Sequence, residues 1–168
     1  MTDEPMSNDA LYLAISGRYE FKNKGIDMFI DVMQRLNESA LMQRQVIAFI
    51  LVPGWIDGPN EMLQLALQHN RTNESQLMHH IELQSTHRLV DAEHDRISDS
   101  LRWHGLNNRW GNRVKVIHVP SYLHGNDGIF NCSYYDLLIG FDATIFPSYY
   151  EPWGYTPLES IAFGVPTI

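Results

Sequence analysis

The chain has 168 residues, 44% of them hydrophobic and 19% charged, which gives one domain enough apolar material for a proper core and argues against disorder. Twenty Asp and Glu against twelve Lys and Arg leave a formal charge of −8, which argues against a nucleic-acid backbone binder, since that affinity comes from clustered Lys and Arg. The single cysteine, Cys132, excludes an internal disulfide and a cysteine-based zinc site, and it points to a reducing compartment.

Residues 1–9 are polar and acidic, without the basic start and apolar stretch of a secretory signal. No apolar run approaches the ~20 residues of a membrane helix, so no membrane is expected. The sequons at Asn37, Asn70, Asn73 and Asn131 are then chance matches, and the expected location is cytoplasmic. Residues 11–16 form a short apolar run that stops at Gly17. Ile26, Phe29, Ile30, Met33 and Leu36 follow at helical spacing, with Asp27, Asp31 and Arg35 on other faces. Residues 46–52 form a second strand that stops at Pro53-Gly54. Residues 59–106 carry helical patterns rich in Gln, His and Asn, broken near 70–75, and read as a helical insertion. Strands follow at 114–119, stopping at Pro120, and at 142–146, stopping at Pro147-Ser148. Short helices are expected at 131–140 and 156–163. Residues 164–168 look like the beginning of a fifth strand.

Short, continuous apolar strands alternating with helices imply a Rossmann-like α/β fold, a doubly wound parallel sheet covered on both faces. The chain stops as a strand begins, so residues 1–168 read as part of a larger domain. Met28, Met33, Met62 and Met78 read as core filler, and Trp55, Trp103 and Trp110 as packing for the insertion. His80, His87 and His94 recur every seven residues near one helix face with Asp91 between them, but they match no metal-ligand motif. His118 and His124 flank a strand end and are candidates to line a cleft.

Two loops carry candidate chemistry. Residues 17–25 (Gly-Arg-Tyr-Glu-Phe-Lys-Asn-Lys-Gly) lie at the carboxyl end of the first strand, where open α/β sheets bind ligands. Arg18, Lys22 and Lys24 precede a helix N-terminus, whose dipole and free N–H groups favour an anion. Arg supplies a bidentate fork and Lys a point charge, a pair suited to a pyrophosphate. A solvated basic turn fits the same residues.

The second loop, residues 146–159 (Phe-Pro-Ser-Tyr-Tyr-Glu-Pro-Trp-Gly-Tyr-Thr-Pro-Leu-Glu), follows a strand and opens a helix. Thr156-Pro157-Leu158-Glu159 has the form of a capping box, with Thr156 as N-cap and Glu159 three residues on. Alternatively, Glu151 and Glu159 both project into one cleft, and free N–H groups around Gly154, Tyr155 and Thr156 point at a phosphate or sugar oxygen. A carboxylate accepts from two adjacent hydroxyls, so two carboxylates suit a ribose and a hexose.

These two segments resemble the signature segments of glycogen synthases of the fungal and animal type, retaining glycosyltransferases of the two-domain GT-B fold. The Arg-x5-Lys pair (Arg18, Lys24) and the Glu-x7-Glu pair (Glu151, Glu159) stand at the family spacing. The resemblance covers nearly the whole chain. It implies that Arg18 and Lys24 bind the pyrophosphate of UDP-glucose or ADP-glucose, with Gly154, Tyr155 and Thr156. It also implies that Glu159 binds the ribose and that Glu151 is the catalytic residue holding the donor glucose. Tyr134 falls where the family stacks an aromatic on the base, and Tyr135 serves if the register slips by one. A core aromatic on a helix is the other reading of this pair.

The implied reaction moves glucose to the non-reducing end of an α-1,4-glucan. The leaving diphosphate is stabilised by Arg18, Lys24 and helix N-termini, and neither cofactor nor metal is implied. The partners implied are the nucleotide sugar, a glucan acceptor and the family's other domain, which carries a glycine-rich loop. A homo-oligomer is a further option. Another GT-B transferase, or a non-catalytic nucleotide- or glucan-binding module, fits the same residues. The insertion at 59–106 is short for a eukaryotic member and shows no arginine cluster that would read glucose 6-phosphate. The expectation is therefore a bacterial relative, with this fragment inactive alone.

Overall fold

The computed structural model describes residues 6–71 and 84–168, by backbone alone over 69–71. Among the described residues, four parallel strands form the main sheet: β1 (Leu11–Ser16), β2 (Val46–Leu51), β5 (Val114–His118) and β6 (Ala143–Thr144), in the order β5-β2-β1-β6. β6 is short because Pro147 ends the run soon after it. Residues 164–168 do start a fifth strand: Thr144 bridges Thr167 in parallel, and its N–H donates to Pro166 O at 2.9 Å. β1 therefore has β2 and β5 on one side and the later strands on the other. The chain reverses its direction of progress across the sheet between β1 and β6, and there the connections leave opposite faces and open a crevice.

Helices cover both faces, so every residue of β2 is buried. On one face, Leu13 and Ile15 of β1 and Val114 and Val116 of β5 pack with α1 (Ile26–Glu38) and α3 (Arg96–Trp103). The periodicity of α1 is realised: Ile26, Phe29, Ile30 and Met33 are fully buried, each contributing ~1.5–3 kcal/mol. On the other face, Ala14, Ile47, Phe49 and Ile117 pack with Leu138 of α4 (Tyr134–Leu138) and with Val165, just beyond α5 (Tyr155–Ala162). This is the doubly wound α/β fold that the sequence implied. Among the described residues, no helix is long and apolar enough to cross a membrane.

The insertion is not wholly helical. Besides α2 (Glu61–Arg71) and α3 it contains a strand, β4 (His87–Leu89), which forms an antiparallel ribbon with β3 (Ile56–Pro59) at its leading edge. β3 reads Ile-Asp-Gly-Pro, which has poor strand propensity. Partners rather than propensity hold it extended: Val90 N donates to Trp55 O at 3.0 Å and Asn60 N to Thr86 O at 3.1 Å. The ribbon is tied to the main sheet where Thr86 N donates to His118 O (2.9 Å) and His118 N to Gln84 O (2.7 Å).

Several expected packing roles change. Trp55, Trp103 and Trp110 are exposed rather than packed, at 88%, 88% and 73%. Met33 fills the core, whereas Met28 and Met62 sit on outer helix faces; Met78 and His80 lie outside the described residues. His87 is buried on β4, while His94 is exposed ahead of α3 and bonded to Asp91 at 2.9 Å, so these histidines share no helix face. Among the described residues, no three His, Cys, Asp or Glu converge as a metal site.

His118 does not line a cleft. It is 1% exposed, and neither ring nitrogen meets a hydrogen-bond partner among the described residues. Burial above all lowers its pKa from 6.5 to about 4; nearby Asp95 and the Val52 backbone, whose approach is too poorly aligned to satisfy a ring nitrogen, oppose the shift, and His87 adds to it. The folded ring therefore stays neutral where the unfolded chain already takes up a proton. Its contribution to stability is complete above pH 6.5 and is lost as pH falls towards 4. This one group should remove on the order of 3 kcal/mol over that interval. Urea unfolding at a series of pH values should show a flatter profile between pH 6.5 and 4 for His118→Leu than for the wild type. Parallel profiles would show that the ring does not govern this acid sensitivity.

Candidate functional site

The crevice between β1 and β6 is bounded by the two loops singled out in the sequence, and those loops are joined to each other. Tyr149 N donates to Asn23 O at 3.1 Å, Lys24 Nζ pairs with Glu151 Oε2, and Lys22 Nζ lies 5.8 Å from the centre of the Tyr149 ring. Gly25 makes the junction possible. Its φ of +65° starts α1 in the left-handed region, and a Cβ there would lie 2.0 Å from Pro147 O. On its other side the first loop is tied to the insertion. The Tyr19 hydroxyl donates to Asp95 Oδ1 at 2.5 Å, and the other oxygen of Asp95 accepts from Ser98 N (2.7 Å) to cap α3. Burial, then Asp95, raises the Tyr19 pKa, so this hydroxyl remains a donor.

Two adjoining cavities open above the strand ends. One, about 620 Å³, is lined by Arg18, Lys24, Glu151, Tyr155 and Thr156 among others. The second, about 530 Å³, is lined by Ser16, His124, Tyr134, Tyr135, Thr156 and Glu159 among others. Gly17, Pro53, Tyr122 and Thr156 border both. Arg18, Lys24, Glu151, Tyr155, Thr156 and Glu159 thus meet around one continuous crevice, with the Arg18, Lys24 and Glu151 end beside the Tyr134 and Glu159 end, whereas Gly154 and Lys22, which pairs with Asp27 at 2.6 Å, line neither cavity. His124 lines it, stacked on Tyr122 at 5.6 Å. Pro53 and Tyr122 border it too, yet nothing in the sequence marks them, because each follows a strand in a turn with no charge pattern.

The charged groups are already paired. Lys24 (15% exposed) holds Glu151 (24% exposed), and the hydrogen bond from Lys24 is the main cause lowering the Glu151 pKa, so Glu151 is an anion at neutral pH. Gly154 N donates to Glu151 Oε1 at 3.3 Å, so this N–H is not free in the way the sequence suggested. Arg18 is largely exposed and pairs with Glu20 at 2.9 Å. Tyr134 combines the two readings of its position: its ring packs against the second core cluster and also lines the cavity, while its hydroxyl meets Ser16 Oγ at 2.8 Å.

The expected capping box at Thr156 does not form. α5 begins earlier, with Gly154 as N-cap at φ +65° and no side-chain cap. A left-handed glycine accepted by Glu151 starts the helix before Thr156 can act. Glu159 is then the fifth helical residue, beyond reach of the N-cap N–H, and it accepts from the Tyr135 hydroxyl at 3.1 Å. Tyr155 and Thr156 hold the first two positions, whose N–H groups the helical ladder leaves unused. A capping box does exist at α4, where Ser133 and Asp136 bond each other's N–H at 3.2 and 3.1 Å.

The family profile described as glycogen synthase matches residues 4–68 and 64–168. The chain is 31% identical to glycogen [starch] synthase isoform 2 of Saccharomyces cerevisiae, over 96% of the chain and 31% of that protein. It is 29% identical to the liver glycogen [starch] synthase of Rattus norvegicus (94% and 29%) and 30% identical to the glycogen [starch] synthase of Caenorhabditis elegans (94% and 31%). It therefore spans about 30% of the length of these curated relatives. The relatives are fungal and animal, which overturns the expectation of a bacterial one. That expectation rested on the shortness of the insertion, and surface insertions change length too readily to mark lineage.

The loop junction makes a testable demand. Gly25 (φ +65°) and Gly105 (φ +66°) share a left-handed φ, but a Cβ on Gly105 meets nothing within 4 Å. Gly105→Ala should cost about 1–2 kcal/mol for the left-handed residue alone. Gly25→Ala should cost at least about 2 kcal/mol more, because the Pro147 backbone must move. Denaturant unfolding of both variants measures the difference, and equal losses would show that the junction yields without cost.

Proposed function

The chain belongs to the glycogen synthase family, and we propose that it is the nucleotide-sugar-binding part of a retaining GT-B glucosyltransferase. In this reading the whole protein transfers glucose from UDP-glucose or ADP-glucose to the non-reducing end of an α-1,4-glucan, in the cytoplasm. The observation that carries it is the continuous crevice at the β1–β6 reversal, with Lys24, Arg18 and Glu151 at one end and Glu159 and Tyr134 at the other. That order matches the order of groups along a nucleotide sugar.

The base stacks on Tyr134, and Glu159 accepts from the ribose hydroxyls. The pyrophosphate lies between, against the N–H groups of Tyr155 and Thr156 and within reach of Arg18 and Lys24. The negative charge that grows on the leaving diphosphate is met by these fixed donors and cations, so the chemistry is electrostatic. Gly154 contributes through its conformation: it sets the first turn of α5 and keeps Glu151 oriented through its N–H. Glu151, anionic beside Lys24, holds the hydroxyls of the donor glucose at the reacting face. The acceptor and the opposite wall of the cleft come from the rest of the protein.

In the complete protein, Arg18→Ala should weaken UDP binding by about 1.5–3 kcal/mol, the range for hydrogen bonds to charged groups. Glu159→Gln should weaken it by about 1–3 kcal/mol with little change in melting temperature, since Gln presents NH₂ where an acceptor is needed. Glu151→Gln should not weaken UDP binding, since it removes the anion that the diphosphate displaces from Lys24, and it should lower turnover. Calorimetry and transfer of labelled glucose to glycogen check each arm, and unchanged UDP affinity in Glu159→Gln would remove the ribose role. The purified 168-residue chain alone should transfer no glucose; transfer by it would show that one wall suffices.

A further inference from the structure

We propose that Tyr135 is a positioning residue for Glu159, fixing the carboxylate that the nucleotide's ribose meets; the inference rests on the nucleotide-binding reading above. Tyr135 is the second residue of α4, and Glu159 lies on α5 across the crevice. The Tyr135 ring stacks on Phe163, with centroids 4.8 Å apart and planes at 11°, and meets Tyr134 edge-on at 5.3 Å and 64°. Phe163 follows Glu159 by four residues, one turn along the same face of α5. The stack therefore sets the ring along that face, and its hydroxyl reaches Glu159 Oε1 at 3.1 Å. The hydroxyl is the donor: its pKa is raised, chiefly by this hydrogen bond.

Glu159 is half-buried, and a glutamate on a helix that lacks a fixed partner samples several rotamers, so ordering it on binding costs side-chain entropy. The Tyr135 hydroxyl removes that freedom beforehand by occupying one oxygen from the side of α4. An ionised carboxylate has about four lone-pair sites, so one phenol leaves enough for two ribose hydroxyls. Tyr134 lines the same cavity and neighbours Tyr135 in sequence. α4 thus carries both the base-stacking ring and the residue that orients the ribose acceptor, and the two contacts keep a fixed separation.

The test uses the complete protein with UDP or ADP, whichever binds more tightly, and with its 2′,3′-dideoxy analogue. Tyr135→Phe keeps the ring stack and loses only the hydroxyl. It should weaken the natural nucleotide about three- to tenfold, the size of the cost of ordering one flexible side chain on binding. It should leave the dideoxy analogue and the melting temperature unchanged, and its effect should vanish in a Glu159→Gln background. Tighter binding by Tyr135→Phe would overturn the inference, since it would mean that the hydroxyl competes with the ribose. Unchanged binding, or equal weakening of the dideoxy analogue, would overturn it as well. A wild type that binds neither nucleotide, or binds the dideoxy analogue as well as the natural one, would instead remove the nucleotide or ribose reading and the inference with it.

Discussion

The contact of Gly25 with the Pro147 backbone is the constraint on which the site depends. Two connections that leave different strands must run against each other at the reversal point of the sheet, at a separation that no side chain fits. Once the first loop is pressed there, Tyr149 N reaches Asn23 O and Lys24 reaches Glu151. The same glycine begins α1, so the helix whose apolar face fills one half of the core starts at the point where the loops meet. Packing and site geometry are therefore one problem here, solved by one residue type.

That junction also gathers cations on an acidic chain. The formal charge of −8 describes the whole surface, but within a Debye length of about 8–10 Å the crevice feels its own groups. Lys24 and Arg18 each carry a carboxylate partner, Glu151 and Glu20. In the proposed reading a pyrophosphate, with more charge and more acceptor oxygens than one carboxylate, takes the place of those partners. Glu151 is then released towards sugar hydroxyls in the same event. In that reading the lysine holds the Glu151 carboxylate before it meets the substrate.

Much of the frame was legible because its causes are local. The strands read as continuous apolar runs since the sheet is covered on both faces, and α1 read from a period that tertiary packing left intact. The ribbon of β3 and β4 was not legible: Ile-Asp-Gly-Pro is held extended by partners some thirty residues away in sequence, and no local pattern encodes such pairing. Trp55, Trp103 and Trp110 read as packing and yet lie exposed, because hydrophobicity ranks burial only on average. The loops that bound the crevice stood out by charge and composition. Pro53 and Tyr122, which border it equally, became visible only when the sheet brought three strand ends together.

The role open to Glu159 depends on where a helix begins. With Thr156 as N-cap, Glu159 would sit at the third position and its carboxylate would fold back onto the backbone, a purely local role. Gly154 moves the start two residues towards the N-terminus. Tyr155, Glu159 and Phe163 then recur at intervals of four, and Glu159 and Phe163 both meet Tyr135. The shift frees the carboxylate from capping and gives it a partner on another element. Sequence alone could not separate these cases, because Thr-Pro-Leu-Glu satisfies the capping pattern in either register. What decides between them is the left-handed turn at Gly154, and its N–H is held by Glu151, the other carboxylate of the pair. The two glutamates are thus linked through the backbone as well as by their spacing: the first helps to set the helix start that leaves the second free.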